Sequence, residues 1–138
     1  MRIASMFAAA ACLATAAPAL AEEDRLTVEL NKFEEVEEGC RSFFLFRNRT
    51  GMTLSEFELS LAILDTDGVI DRLLTIDAAP LPADRTTLKL FEIPEIGCDA
   101  IGEVLLHDIA ACRPQNAEEA DCFAFLELSS RTDAPLVK

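Results

Sequence analysis

Cys40-Arg-Ser-Phe-Phe-Leu-Phe-Arg-Asn-Arg-Thr-Gly-Met-Thr-Leu-Ser-Glu-Phe-Glu-Leu-Ser-Leu-Ala-Ile-Leu-Asp-Thr-Asp-Gly-Val69 decides the fold. From 54 to 64 the chain alternates strictly. Phe57, Leu59, Leu61 and Ile63 fall on one face, and Glu56, Glu58, Ser60 and Ala62 on the other. That period of two is the mark of a half-buried β-strand. Asp67-Gly68 closes it with the residues a tight hairpin needs, because glycine accepts the positive φ such a turn imposes. Before it, Phe43-Phe44-Leu45-Phe46 puts apolar groups on both faces of a strand over 40–48, which predicts a central strand covered on both sides. Arg47 to Gly51 forms a polar turn between the two.

Working outward, Leu26, Val28 and Leu30 alternate with polar neighbours, predicting a first strand near 25–33. Glu34, Glu35, Glu37 and Glu38 then read as a solvated acidic connection. A fourth strand is expected over 69–76, a fifth over 86–93 with Leu88 and Leu90 on one face, a sixth over 103–109 and a seventh over 122–130. Pro80 and Pro82 keep their loop out of any central sheet. A short helical turn around Asp99–Gly102 is the alternative reading of the segment before the sixth strand. A polar, acidic loop fills 113–121, and 131–138 reads as a frayed tail. Short strands with turns every eight to fifteen residues predict an all-β, seven-stranded antiparallel immunoglobulin-like sandwich. With no Trp and no Tyr, the core must be built from Phe, Leu, Ile and Val.

Upstream, Arg2 precedes an apolar run that ends at Pro18, and Ala19-Leu20-Ala21 has small residues where a signal peptidase reads. The expectation is a cleaved leader over 1–21 and a single domain over 22–138, exported to the periplasm of a Gram-negative cell or beyond it. Cys12 raises a lipoprotein alternative, but Ala9-Ala10-Ala11 lacks the leucine-like residue usual before an acylated cysteine. Nothing further along reads as a membrane span. The formal net charge is −13, and losing Arg2 with the leader deepens it by one. Such a chain is a poor ligand for nucleic acid or an anionic membrane, both of which require basic patches.

Without Cys12, the cysteines are Cys40, Cys98, Cys112 and Cys122. An even set in a small exported domain predicts disulfides, and close Cys-x-x-Cys pairs that would favour zinc are absent. If the strands run up and down, Cys40 and Cys98 lie at one end and Cys112 and Cys122 at the other. The expected pairs are therefore 40–98 and 112–122.

Phe46-Arg47-Asn48, Leu54, the alternating run from Phe57 to Leu64, Asp65-Thr-Asp-Gly-Val69 and Leu81 to Phe91 together resemble FxLYD-type extracytoplasmic domains. The resemblance covers residues 40–93 and departs from the family where Ile63-Leu64-Asp65 stands for Leu-Tyr-Asp, where Ala83-Asp84 replaces the loop glycine, and in the added cysteines. It implies an immunoglobulin-like module and no catalytic residues.

His107 is the single histidine and is followed by Asp108. Neighbours on a strand face opposite ways, so this pair is not set up to act as an orienting couple for catalysis. Asp65, Asp67 and Asp71 are the candidate cation ligands, although the spacing lacks the remainder of a calcium loop. Neither a metal nor any other cofactor is expected. Asn48-Arg49-Thr50 spells a glycosylation sequon, incidental in a bacterial chain. The expected function is a non-enzymatic envelope module binding another envelope or periplasmic protein through its acidic 34–38 and 115–121 loops or its strand edges. The alternative is a protein that binds a small ligand or a cation, through those aspartates or the sandwich interior. A secreted hydrolase using His107 comes third.

Overall fold

A computed structural model describes residues 25–138, so the expected leader over 1–21 and Cys12 lie outside the described residues. The strands are β1 (Leu26–Val36), β2 (Gly39–Asn48), β3 (Leu54–Asp65), β4 (Ile70–Asp77), β5 (Arg85–Pro94), β6 (Ile101–Pro114), β7 (Leu126–Ser130) and β8 (Leu136–Val137). They form two four-stranded sheets, ordered β5-β2-β1-β7 and β4-β3-β6-β8. This is the expected β-sandwich, with eight strands in place of seven.

Two pairings are parallel, β1 with β7 and β6 with β8. Both arise from the C-terminal stretch, which switches sheets twice. After β6 the chain turns through Phe123–Phe125 to lie beside β1, then crosses back. The tail is not frayed. Arg131 N donates to the Leu30 carbonyl, Val104 N donates to the Pro135 carbonyl (both 2.9 Å), and Ala134 and Leu136 are buried. Two buried apolar side chains, the open edge of β6 and the hydrogen bonds of Ser130 and Thr132 to the Ala134 carbonyl hold the segment.

β1 also runs further than its alternation suggested. Glu34 and Glu35 pair with Arg41 and Cys40, leaving Glu37-Glu38 as a two-residue turn. A bulge at Asn31, between Leu30 and Lys32, shifts the faces so that the glutamates fit the ladder. The short turn foreseen near Asp99 is a 3-10 turn over Cys98–Ala100.

The core lies between the sheets and is lined by the residues whose period was legible. Phe57, Leu59, Leu61 and Ile63 from β3 meet Leu26, Val28, Leu30, Phe44 and Phe46 from the other sheet, all at most 2 % exposed. Phe46 and Phe57 cross edge to face at 6.2 Å and 84°, a favoured aromatic geometry. Ala62 joins the buried set although it faces outward, because it is small and its neighbours cover it. The cavity between Phe44, Leu61, Phe91 and Val104 is about 10 Å³, no more than the room one water needs.

Asn48 shows why the turn after β2 is polar. Its side chain is 1 % exposed. Nδ2 donates to the Met52 and Leu81 carbonyls at 2.8 and 2.9 Å, and Oδ1 accepts from Thr50 N and Oγ1 at 3.1 and 2.7 Å. All four hydrogen-bonding positions of the amide are filled, so the group is buried without penalty.

The cysteines pair as 40–98 and 112–122. Cys98 is held further by its backbone N–H, which donates to Glu35 Oε1 at 2.6 Å.

Candidate functional site

Alternation along β2 sends Phe44 and Phe46 inward and leaves Arg41, Phe43, Leu45 and Arg47 on the outer face. On β5, inward Phe91 and Ile93 leave Leu88, Leu90 and Glu92 outward. The register sets Phe43 beside Leu90 and Leu45 beside Leu88, which makes a four-residue apolar square on the outside of the sheet. Leu88 and Leu90 are 53 % and 47 % exposed. The sequence reading that β2 is covered on both sides is therefore corrected: β2 is central in its sheet, but nothing among the described residues forms a layer over its outer face. Phe43 and Leu45 are half-buried, and Lys32 reaches across with its ammonium 5.3 Å from the Phe43 ring.

Charges frame this square and largely cancel. At one end Arg41 donates to Glu34 and Glu92, at 3.1 and 2.9 Å. Beside the other end Arg47 and Arg131 both reach Glu29 at 3.3 Å. Arg25 is paired with Glu127. On a strongly acidic protein this face is close to neutral. An apolar centre with a polar rim is the anatomy of a protein-binding surface.

Glu29 is 6 % exposed on that outer face, covered by its partners' side chains and not sunk in the core. The Asn31 amide donates to it at 2.7 Å. That hydrogen bond, with the charges of Arg47 and Arg131, holds its carboxyl below the usual range against the opposing loss of hydration. Because the folded pKa is depressed, the stabilisation is present above the ordinary carboxylate range and disappears as pH falls through the folded value. Glu29→Gln should cost about 1 kcal/mol at neutral pH, a modest figure because Arg131 is well solvated. Urea unfolding at neutral pH and near pH 3 should show the difference between the two proteins shrinking in acid.

The structure does not bring the three candidate cation ligands together. Asp65 Oδ1 accepts from Asp67 N and Val69 N, both at 2.9 Å, which ties down its own hairpin. Asp71 Oδ2 is taken by Arg72 Nε at 2.6 Å. Among the described residues no three His, Cys, Asp or Glu side chains are grouped so as to hold a metal ion.

His107 is not coupled to Asp108. It is the unpaired residue of a β6 bulge between Leu106 and Asp108, the latter paired with Ser60. Its Nε2 lies 2.7 Å from Ser60 Oγ, while Asp108 Oδ1 accepts from Ile109 N. This Ser-His contact escaped the sequence reading because the bulge that creates it leaves no mark in the residue pattern. Both groups sit on an open sheet face, and Asp108 does not orient the imidazole as a third member would.

The acidic stretches are partly structural. Glu34 pairs with Arg41 and Lys32, and Glu35 anchors Cys98. The 115–121 loop is tied back by Gln115 N to Thr53 O and Ala120 N to Cys112 O. An open cleft of about 480 Å³ at the Cys98 end has both cations, Lys32 and Arg131, and anions, Glu35, Asp99 and Asp133, in its walls.

No family model matches the chain, and no curated protein does. A solved structure of IrmA from Escherichia coli is similar, with a TM-score of 0.56 and 11 % identity, covering 75 % of this chain and 90 % of that one. At that identity the likeness shows the fold alone. The described residues include no helix long and apolar enough to cross a membrane.

Proposed function

We propose that this is an exported, non-enzymatic β-sandwich that works by holding another protein of the cell envelope, most simply in the periplasm, with the outer face of β2 and β5 as its contact surface. One observation carries the reading: Phe43, Leu45, Leu88 and Leu90 form a solvent-facing apolar square inside a ring of mutually neutralised charges. Isolated apolar residues on a surface need no explanation, but a contiguous group on a sheet that ends in a long edge strand does. Two disulfides support an oxidising compartment. The likeness of residues 40–93 to FxLYD-type domains points the same way. Catalysis finds less support, since the Ser60–His107 contact lies on an open face with no third group on the imidazole from Asp108.

Crosslinking and capture from the native cell tests this when wild type is compared with Leu88→Asp/Leu90→Asp. Both side chains are already half exposed, so the variant should keep its melting temperature. Capture of the partner should fall about tenfold or more, the effect of a charge placed at an interface centre. A partner retained equally by both proteins would move the contact elsewhere.

A further inference from the structure

The second sheet has an outer face of opposite character. Its register places Leu73 of β4 beside Ala62 of β3, Ala62 beside Leu105 of β6, and Leu105 beside Val137 of β8. An apolar stripe thus crosses all four strands at right angles to them. Leu73 is 63 % exposed and Leu105 and Val137 are half-buried, while Ala62 between the two leucines is covered, so Leu73, Leu105 and Val137 carry the stripe's accessible surface.

Acids flank the stripe on both sides. One row along, Ile70 and Leu64 lead to Glu103. One row back, Thr75 and Ser60 lead to Asp108, with His107 against Ser60, and beyond them Asp77 lies beside Glu58. The cations on these strands are engaged already. Arg72 is paired with Asp71 and the Pro94 carbonyl, and Arg113 with Glu56.

We infer that this face seats a short amphipathic helix of a partner protein, apolar along one stripe and carrying lysine or arginine on either side of it. The dimensions select a helix. Rows on one face of a sheet are about 7 Å apart, so acids one row to each side span about 14 Å, matched to a helix about 10–12 Å wide with its flanking cations. Four strands about 4.8 Å apart give a stripe of about 14 Å, the length of about ten helical residues. An added edge strand would lie along β4 and meet only one end of the stripe. A second copy meeting this face with the same face, as a two-fold dimer would, brings like charge to like. The inference rests on the protein-binding reading but not on the β2–β5 face, so the two can fail separately.

The test uses the full chain, expressed with its leader and recovered oxidised. The probe is a labelled synthetic Leu/Lys peptide with leucines at helical spacing, compared with a peptide of the same composition in strict alternation. Anisotropy should show the helical pattern binding more tightly. Leu73→Ser and Glu103→Lys should each weaken it about tenfold at about 0.15 M salt, where long-range attraction is screened. Glu118→Lys makes the same charge change in the 115–121 loop and should stay within about twofold. Leu88→Asp/Leu90→Asp should bind as wild type, which separates this face from the other.

Three results would overturn the inference: no binding of the helical peptide, equal binding of the alternating one, or equal loss from Glu103→Lys and Glu118→Lys. Unchanged melting of Leu73→Ser, expected for so exposed a side chain, excludes misfolding as the cause of any loss.

Discussion

Phe57→Ala should destabilise the protein by about 3–5 kcal/mol, the range for removing a fully buried ring from a core. Phe57 has no exposed surface and points from the first third of β3 onto Phe46 of the facing sheet. Both sheets are hydrogen-bonded at this level: Phe57 pairs with Cys112 of β6 and its carbonyl accepts from Ala78 N just after β4, while Phe46 pairs with Val28 of β1 and Thr87 of β5. Neither can move in to fill the space, so the cavity term adds to the transfer term. Urea denaturation should show a much lower midpoint with little change of slope. Leu88→Ala, an apolar truncation of comparable chemistry on the outer face, should cost under about 0.5 kcal/mol. A small loss for Phe57→Ala would mean that the sheets can close over the gap.

Replacing Cys40 and Cys98 together by alanine should cost about 4 kcal/mol, and Cys112 with Cys122 about 3. These follow from the chain entropy of loops 58 and 10 residues apart in sequence. The order is the firmer expectation, because the longer loop restricts the unfolded chain more. The 40–98 bridge also joins β2 of one sheet to the segment entering β6 of the other, beside the Glu35 hydrogen bond to Cys98 N. Its loss should therefore release the 95–100 turn as well. Thermal unfolding of the two double variants beside wild type would show both effects, with the 40–98 variant melting lower. The reverse order would place the larger constraint in the 112–122 loop.

What could be read from the residues was whatever depends on local period and chain direction. β3 declared its inner face because one side of it is uniformly apolar. The cysteine pairs followed from which strand ends coincide. β2 and β5 misled for one physical reason. An apolar residue facing outward looks the same in sequence whether the covering layer belongs to the chain or to a partner. Phe43 and Leu45 were read as doubly covered, and Leu88 and Leu90 as one face of an ordinary strand. That Phe91 and Ile93 lie on the other face of β5 was the signal that one of the two sets had to point outward. The tail was missed because its burial rests on Ala134 and Leu136, in an apolar stretch too short to show a period. The aspartates of the β3–β4 hairpin were recognised as turn formers and also entertained as ligands. The backbone amides of Asp67 and Val69 use the very oxygen of Asp65 that a cation would need.

The buried amide of Asn48 bears on how this protein can be made. Its nitrogen has both hydrogens committed to the carbonyls of Met52 and Leu81, and Asn48-Arg49-Thr50 is a sequence that an oligosaccharyltransferase accepts. In a eukaryotic secretory host that enzyme meets the chain during translocation, before β2 and the Leu81 loop have come together. A sugar attached then would stand where a fully enclosed side chain has to go, and the modified chain would be barred from closing the sandwich. Yeast or animal-cell secretion should therefore begin from Thr50→Val or another sequon-breaking change at the third position, at the cost of the Thr50 hydroxyl contacts, whereas a bacterial periplasm without such an enzyme needs no change at all.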